Sequence, residues 1–279
     1  MRRRATAALV LSALCLLPSA IFASEDRLGV SANGASLTGT DGGYGGSLSW
    51  LHNFDPDAVM GIAAEHQKLG VSRWTFGTLN GALSRGQGDQ RYTFAGEAHE
   101  GAGSDNGKHF NYAIEALSVT GTYFHRFNLQ VEDKQINVET THGNLPKIGL
   151  SYLVNPHFQM QASYSYSFGG NLGTRLPAVR IDVYGSKVNF LAGGAWGTVS
   201  PIVLGVQTVL PPRPTREGYA GLAIPLPQWR SEVTLLADYL YLRGGSFIDT
   251  EISPLPQTVP NSKKWTGTVS WIYHVGARK

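Results

Sequence analysis

Residues 158–168 read FQMQASYSYSF, and every second residue of this stretch is apolar or aromatic. The residues between them are Gln or Ser, and the apolar set is Phe158, Met160, Ala162, Tyr164, Tyr166 and Phe168. Successive side chains of a β-strand point to opposite faces, so this period of two predicts a strand with one apolar and one polar face. The alternation alone leaves open whether the apolar face meets a protein core or lipid.

The first 23 residues have the layout of a secretory signal peptide. The basic residues Arg2–Arg4 precede the apolar run ATAALVLSALCLL, whose 13 residues are too few to span a bilayer. SAIFA then offers the small residue Ala23 at the cleavage position, and the residue before Cys15 is too large for a lipoprotein signal. The sequence therefore predicts a signal peptide, 1–23, and an exported mature domain, 24–279.

The composition of the mature domain excludes several classes of protein. The chain has 23 Lys+Arg and 20 Asp+Glu, and three Arg but no acid lie in the signal peptide, which leaves 20 of each and zero net charge. A neutral domain gives no reason to expect a nucleic acid partner. The single Cys also lies in the signal peptide, so a disulfide-stapled fold is excluded. Charged residues are 15% of the chain, against about 25% in soluble domains.

The alternating pattern recurs along the whole mature domain. In the last segment one face carries Trp265, Gly267, Val269, Trp271, Tyr273 and Val275. Turn signals separate about 14 such segments, near 27–38, 43–54, 58–68, 72–85, 90–100, 109–126, 128–139, 146–154, 157–168, 178–191, 198–210, 217–224, 230–243 and 263–276. Twelve or 16 strands remain open, because 109–126 is long and 217–224 is short. Short and long connections roughly alternate, as in outer-membrane barrels with short periplasmic turns and longer extracellular loops.

Two regions are ambiguous. The apolar set changes face within 72–85 and within 178–191, with Gly77 and Gly185 at the changes, which suggests bulges or a sharply curved wall. Residues 188–212 carry no charge and could be read as a transmembrane helix. Their Asn, Gln, Pro and several Gly favour two strands joined by a turn in GGAWGTVSP.

An up-and-down transmembrane barrel fits these strands better than a soluble sandwich. The strands run to ten or more residues, whereas sandwich strands have about five or six. Charges lie on the polar face in mid-strand, where a water-filled lumen tolerates them and a sandwich core does not. Aromatic residues gather toward strand ends, as in the girdles at membrane interfaces. The predicted girdle is Trp50, Phe54, Phe158, Tyr166, Phe168, Trp265, Trp271 and Tyr273. The predicted fold class is all-β, a transmembrane antiparallel up-and-down β-barrel of about 14 strands.

The chain resembles a bacterial outer-membrane β-barrel protein. The resemblance rests on the signal peptide, hairpins such as LSYLVNPHFQMQASYSYSF, and the aromatic-rich last strand KKWTGTVSWIYHVGARK. Size and tandem strands are similar to the YaiO type of barrel. The resemblance implies an outer-membrane location, outer-membrane lipid around the wall and insertion by the barrel-assembly machinery. The assembly signal of such barrels usually ends on an aromatic residue, whereas this chain ends GARK, which puts the end of the last strand in doubt.

The sequence contains no recognisable catalytic motif. The His-x-Ser-Asn-Gly motif of outer-membrane phospholipases is absent, and THGN at 141–144 has no neighbouring nucleophile. Glu65–His66 and His99–Glu100 are adjacent pairs, whose members face opposite sides of a strand, so they are poor metal ligands. We therefore predict no catalytic residue, no metal and no cofactor.

The polar face carries the candidate functional residues. The predicted lumen-facing set is Glu65, Arg91, Glu97, Arg180, Asp182, Glu232 and Asp238. Because both signs of charge occur, these residues fit two roles equally, a salt-bridged network that fills a narrow barrel or a path for a neutral or zwitterionic solute such as a saccharide. The preferred hypothesis is a channel or export route for a polar solute. The alternatives are an enzyme acting on outer-membrane lipid, and a structural or surface-contact barrel whose exposed part is the 244–262 loop.

Overall fold

The computed structural model describes residues 26–276 except 40, 88, 106, 139–140, 171, 200–201, 204–207, 210–212 and 250–252. The predicted signal peptide lies outside the described residues, and its cleavage stays a prediction. Within the described part of the chain, no helix is long and apolar enough to cross a membrane.

Fourteen long antiparallel strands form the wall of a closed barrel. They are β1 (Asp26–Leu37), β2 (Gly43–Asp55), β3 (Ala58–Leu69), β4 (Ser72–Gln87), β5 (Gln90–Asp105), β6 (Lys108–Tyr123), β7 (Phe127–Val138), β8 (Lys147–Asn155), β9 (Phe158–Tyr166), β10 (Arg175–Tyr184), β11 (Asn189–Val199), β12 (Arg213–Leu226), β13 (Ser231–Leu242) and β14 (Ser262–Val275). Each strand pairs with its neighbours in sequence, and β1 pairs with β14 to close the wall. The predicted fold class and the count of 14 strands are confirmed.

The two ends of the barrel carry different connections. Asp26 pairs with Val275, so the first and last strands begin and end at one rim, the terminal end. Turns at the terminal end are short, and a single 3₁₀ turn, Pro227–Trp229, lies in the connection from β12 to β13. At the opposite rim, the mouth end, the longest connections are 200–212 and 243–261. Short strands within the mouth-end connections are Thr141–Asn144, Ile202–Val203, Thr208–Val209, Gly245–Asp249 and Ser253–Val259.

The stretch FQMQASYSYSF forms β9 and the residues that follow it. The turn from β8 is fixed by Asn155, whose Oδ1 accepts a hydrogen bond of 2.8 Å from the backbone N–H of His157. Met160 and Tyr164 are exposed on the outer face, paired with Tyr152 and with Ile148. The inner face carries Gln159, Gln161, Ser163 and Ser165. The predicted hairpin, with an apolar outer and a polar inner face, is confirmed.

The wall differs from the sequence prediction at β10 and β11. The predicted strand over 178–191 is interrupted by a turn at 185–188. The predicted turn in GGAWGTVSP is wrong because β11 extends through 193–199 of this stretch, whose last two residues lie outside the described residues. Gly193 leaves space for the side chain of Tyr219 on β12, since a Cβ on Gly193 would lie 2.4 Å from the Tyr219 hydroxyl oxygen. A strand over 189–199 also excludes a helix there. Glycine in this segment therefore reflects close packing against β12 and not chain reversal.

The predicted bulge at Gly77 is also wrong. The register of β4 with β3 and with β5 runs without a shift. The side chains of Trp74 and Phe76 consequently point into the barrel, where they are buried, while Leu79 and Leu83 are exposed on the outer face. The apolar set changes face because the inside of the barrel is itself apolar near the mouth end.

Candidate functional site

Small polar side chains form part of the lining of the lumen between its middle and the terminal end. The hydroxyls of Ser31 and Ser47 lie 2.7 Å apart across β1 and β2. Asn128 Nδ2 donates a hydrogen bond of 2.9 Å to Ser151 Oγ across β7 and β8. Such side chains are short and hydrogen-bond across neighbouring strands, so they extend little into the lumen.

The structure places all seven predicted lumen residues at inward-facing positions of the wall. The assignment follows from the register, because directly paired residues share a face. Glu65 pairs with Ser47, and Glu97 pairs with Asn80 and with Ala116. Whether the seven residues line a path for a solute stays a prediction.

Arg180 and Asp182 are the two members of this set that the structure brings together. Arg180 Nε lies 2.9 Å from Asp182 Oδ1 and 3.0 Å from Oδ2. Gln161 Nε2 donates a further hydrogen bond of 3.0 Å to Asp182 Oδ2. Asp182 is only 1% exposed. A carboxylate this buried needs such partners, so this pair belongs to the wall near the terminal end.

Arg91, Glu65 and Glu97 lie apart from one another. Arg91 is at the terminal rim, where its Nη2 lies 2.5 Å from Asp57 Oδ1 in a half-exposed ion pair. Glu65 accepts a hydrogen bond from the side-chain amide of Gln67. Glu97, in the middle of β5, faces inward and is nevertheless exposed. The lumen is therefore open to solvent at mid-height.

A charged group on β12–β14 includes residues that the sequence prediction missed. Asp238 faces inward on β13, and the next inward residue toward the mouth, Leu240, pairs with both Glu217 and Lys264. Lys264 is buried at 8% exposure. Lys264 lies two residues before Thr266, which faces inward, so the alternation of the last strand indicates that Lys264 faces inward as well. Glu217 is the first residue of the strand predicted over 217–224, whereas β12 begins at Arg213. Glu232 lies lower on β13, opposite Ile272.

A second missed pair spans β7 and β8. Lys147 Nζ lies 3.6 Å from Glu132 Oε2 on the inner face. Among the described residues, no group of three or more His, Cys, Asp or Glu side chains could hold a metal ion. The inner wall therefore carries dispersed charges of both signs.

The mouth end of the lumen contains an apolar cluster that the sequence prediction also missed. This mouth cluster consists of Leu37, Leu69, Trp74, Phe76 and Phe110, each exposed by 5% or less. Its members come from β1, β3, β4 and β6, all near the mouth end of their strands. The sequence prediction placed the apolar face of the strands toward lipid, whereas the register places the five residues of the mouth cluster inside the barrel.

Two glycines on β5 allow the mouth cluster to lie flat on the wall. Gly101 and Gly103 face inward between the aromatic residues of β4 and those of β6. A Cβ on Gly103 would lie 2.3 Å from Phe110 Cζ, and one on Gly101 would lie 2.5 Å from Phe76 Cβ. Any larger residue at these positions would push the rings into the lumen.

Half-buried polar rings border the mouth cluster on the lumen side. The rings of His99 and Phe76 are 4.0 Å apart at their centroids, and the Tyr112 ring lies 5.8 Å from that of Phe76. His99 Nδ1 lies 2.7 Å from Thr78 Oγ1. Amphipathic rings thus separate the dry cluster from the wet lumen below it.

The eight predicted girdle residues lie at several levels of the wall. Phe54, Phe158 and Tyr273 lie near the terminal end, and Tyr166, Phe168 and Trp265 near the mouth end. Trp50 and Trp271 lie between, on the outer face. Trp265 packs against Tyr239 at a ring distance of 4.5 Å. Their role as membrane anchors stays a prediction.

The chain is similar in fold to solved channels. No family model and no curated protein matches it. The CymD monoaromatic hydrocarbon channel is 10% identical with a TM-score of 0.61, and the match covers 92% of this chain and 90% of that one. A Pseudomonas aeruginosa FadL homologue is 9% identical with a TM-score of 0.55, covering 91% and 90%. The Pseudomonas putida toluene transporter TodX is 9% identical with a TM-score of 0.53, covering 91% and 90%. The chain therefore has the fold of bacterial outer-membrane β-barrels, and the predicted outer-membrane location agrees with this fold.

Proposed function

We propose that the protein is an outer-membrane channel for a small polar solute. The observation that carries the proposal is the exposure of Glu97, an inward-facing residue at mid-height of the wall. Side chains fill an eight-stranded barrel, whereas barrels of about 16 strands leave an aqueous channel. A wall of 14 strands with short hydroxyl side chains belongs closer to the second group.

The charges of the lumen favour a neutral or zwitterionic solute, with saccharides as the first class to test. Arg180 is neutralised by Asp182, and Lys147 by Glu132. The remaining inner charges have both signs, so they favour neither anions nor cations strongly. Hydroxyl and amide groups along the wall can exchange hydrogen bonds with the hydroxyls of a sugar.

Conductance of the purified protein in planar bilayers tests the proposal. We expect stepwise, weakly ion-selective conductance, and swelling of proteoliposomes in isosmotic monosaccharide. Absence of conductance under all salt and voltage conditions would reject a channel. Conductance without sugar-driven swelling would keep the channel and reject the saccharide.

A second candidate cargo is a small aromatic or hydrocarbon molecule. The observation in its favour is the mouth cluster, which places Phe76 and Phe110 inside the lumen near the mouth end. CymD and TodX carry names that refer to monoaromatic hydrocarbons and toluene. Uptake of toluene into proteoliposomes, with no swelling in sugar, would favour this cargo over the saccharide.

The membrane environment, the assembly route and the family of the protein are further predictions from the sequence. In this proposal, outer-membrane lipid covers the outer face and the barrel-assembly machinery inserts the protein. The narrower resemblance to the YaiO type of barrel, the lipid-modifying enzyme and the surface-contact barrel stay predictions. Lipid composition of a deletion strain tests the enzyme, and trimming of 244–262 tests surface contact.

A further inference from the structure

The outer face of β12–β14 carries a short row of cations at the mouth end. Arg216 on β12 pairs directly with Tyr241 on β13, and Tyr241 pairs directly with Lys263 on β14. All three point outward, on the face opposite to Glu217 and Lys264. Arg216 and Lys263 are exposed. Neighbouring strands lie about 4.8 Å apart, so the two cations flank the tyrosine at about 10 Å from each other.

The wall below this row is uncharged as far as the terminal end. The outward residues concerned are Gly218, Ala220, Leu222, Ile224, Leu226, Ser231, Val233, Leu235, Ala237, Tyr239, Trp265, Gly267, Val269, Trp271, Tyr273 and Val275. Such a surface suits acyl chains, because charges on the lipid face of a barrel are costly at mid-membrane depth. The first charges above it are therefore placed where the apolar band ends.

The height of the row agrees with a membrane interface. Arg216 is ten residues from Leu226, the last residue of β12 at the terminal end. Ten residues at about 3.4 Å each, in a strand tilted by about 40°, rise about 26 Å. The apolar band of outer-membrane barrels is about 25 Å tall. Trp196, which pairs with Arg216, and Trp265 add amphipathic rings at the same level.

The two cations are not neutralised by the protein. Among the described residues, neither Arg216 nor Lys263 forms an ion pair. No acidic residue points outward on β12, β13 or β14. Two cations at one level match the charge of a phosphate group, and their N–H groups can donate to its oxygens.

The outer face of β5–β7, on the opposite side of the barrel, carries acidic residues. The outward residues of β5–β7 include Glu100, Glu115 and Asp133. These acids repel an anionic headgroup, so β5–β7 are a poor site for one, whereas Lys68 and Arg73, which pair directly on the outer face of β3 and β4, form a second outward pair of cations at the mouth end. We propose that Arg216, Tyr241 and Lys263 bind the phosphate-bearing headgroup of a membrane lipid in the leaflet at the mouth end. The site does not depend on whether the lumen conducts.

Native mass spectrometry of the full chain in detergent, with diphosphoryl lipid A as the probe, tests the site. The variant R216Q/K263Q is expected to bind about thirtyfold more weakly, since each cation near an anionic headgroup contributes about 1 kcal/mol. The matched control R85Q/R126Q removes two exposed cations at the terminal end and should bind as the parent does. Equal loss in both double variants, or no loss in R216Q/K263Q, would overturn the proposal.

Two further measurements distinguish a lipid site from a misfolded variant and from a site for free phosphate. R216K/K263R keeps both charges and should keep binding, and heat-modifiable migration in gels should show that every variant is folded. Inorganic phosphate in tenfold excess over lipid A should displace little of it, because the acyl chains also contact the apolar band. Complete displacement by inorganic phosphate would overturn the assignment to a lipid.

Discussion

The inner face of the barrel has a dry part and a wet part, built on the same strands. On β4, the inward residues Trp74 and Phe76 are buried, whereas Thr78 and Asn80, one step further along the strand, belong to the open lumen. On β5, the change falls between Gly101 and Glu97, with His99 at the boundary. Strand register thus determines which side chains point inward, while packing with neighbouring strands determines whether they are in contact with water.

The dry part depends on contacts between several strands, of which β4, β5 and β6 carry the aromatic rings and the glycines beneath them. The rings of Phe76 and Phe110 lie over Gly101 and Gly103, because those positions have no side chain. No single strand of this group predicts the cluster from its own sequence. The wet part includes short polar side chains that hydrogen-bond across neighbouring strands, such as Ser31 with Ser47.

The largest expected effect is that of Phe110→Ala in the mouth cluster. Phe110 is 2% exposed, and removing a buried ring costs lost burial plus the cavity that remains. We expect the free energy of unfolding to fall by about 3–5 kcal/mol, measured by urea titration of the protein folded into lipid vesicles. Single-channel conductance should rise, because the mouth is wider.

Phe94→Ala is the matched control for this substitution. Phe94 lies on β5, next to β6, but is 53% exposed on the outer face. Lipid can fill the space of the lost ring, so we expect a smaller loss than at Phe110 and unchanged conductance. Equal losses of stability in the two variants would show that protein encloses Phe110 in the mouth cluster no more tightly than its surroundings enclose Phe94 on the lipid-facing wall.

The sequence predicts the wall better than it predicts the lumen. Alternation in FQMQASYSYSF places Gln159 and Gln161 inside correctly, since a period of two follows from strand geometry alone. The change of face within 72–85 suggests a bulge from the sequence alone, because hydrophobicity cannot distinguish lipid from the dry interior in which Trp74 and Phe76 lie. Gly193 was read as a turn because its partner, Tyr219, is 26 positions away. Contacts between distant strands are therefore the part that a single sequence leaves open.

Asp182→Asn tests whether the dry character extends to the terminal end of the lumen. Asp182 is buried and holds Arg180, so its neutralisation leaves a cation without a counter-charge in the wall. Breaking a buried pair in this way should lower the free energy of unfolding by about 3 kcal/mol in the same urea titration. Asp57→Asn removes the carboxylate that pairs with Arg91, which is half exposed, and should cost under about 1 kcal/mol. Similar costs for both would remove the distinction between the two ion pairs.

Gly103→Val tests the flat packing of the mouth cluster directly. Its Cβ would meet Phe110 Cζ at 2.3 Å, so the ring must move toward the lumen. Overpacking of this kind costs about 1–3 kcal/mol, and the displaced ring should reduce conductance. Gly267→Val is the control, because a Cβ at Gly267 has no atom within 4 Å. Unchanged conductance in Gly103→Val would mean that the cluster does not border the path of the ions.

The smallest expected effect on stability, and the most direct test of the wet part, is that of Glu97→Gln. Glu97 is exposed in the open lumen and forms no ion pair with the described residues, so its neutralisation should change the free energy of unfolding by less than about 0.5 kcal/mol. The charge itself lies where ions would pass, and its loss should shift the reversal potential in a KCl gradient toward anion permeation. Glu115→Gln makes the same change on the outer face of β6, where we expect no shift. A shift in Glu115→Gln equal to that in Glu97→Gln would mean that selectivity arises outside the lumen, and the difference between the dry and wet parts would then have no bearing on permeation.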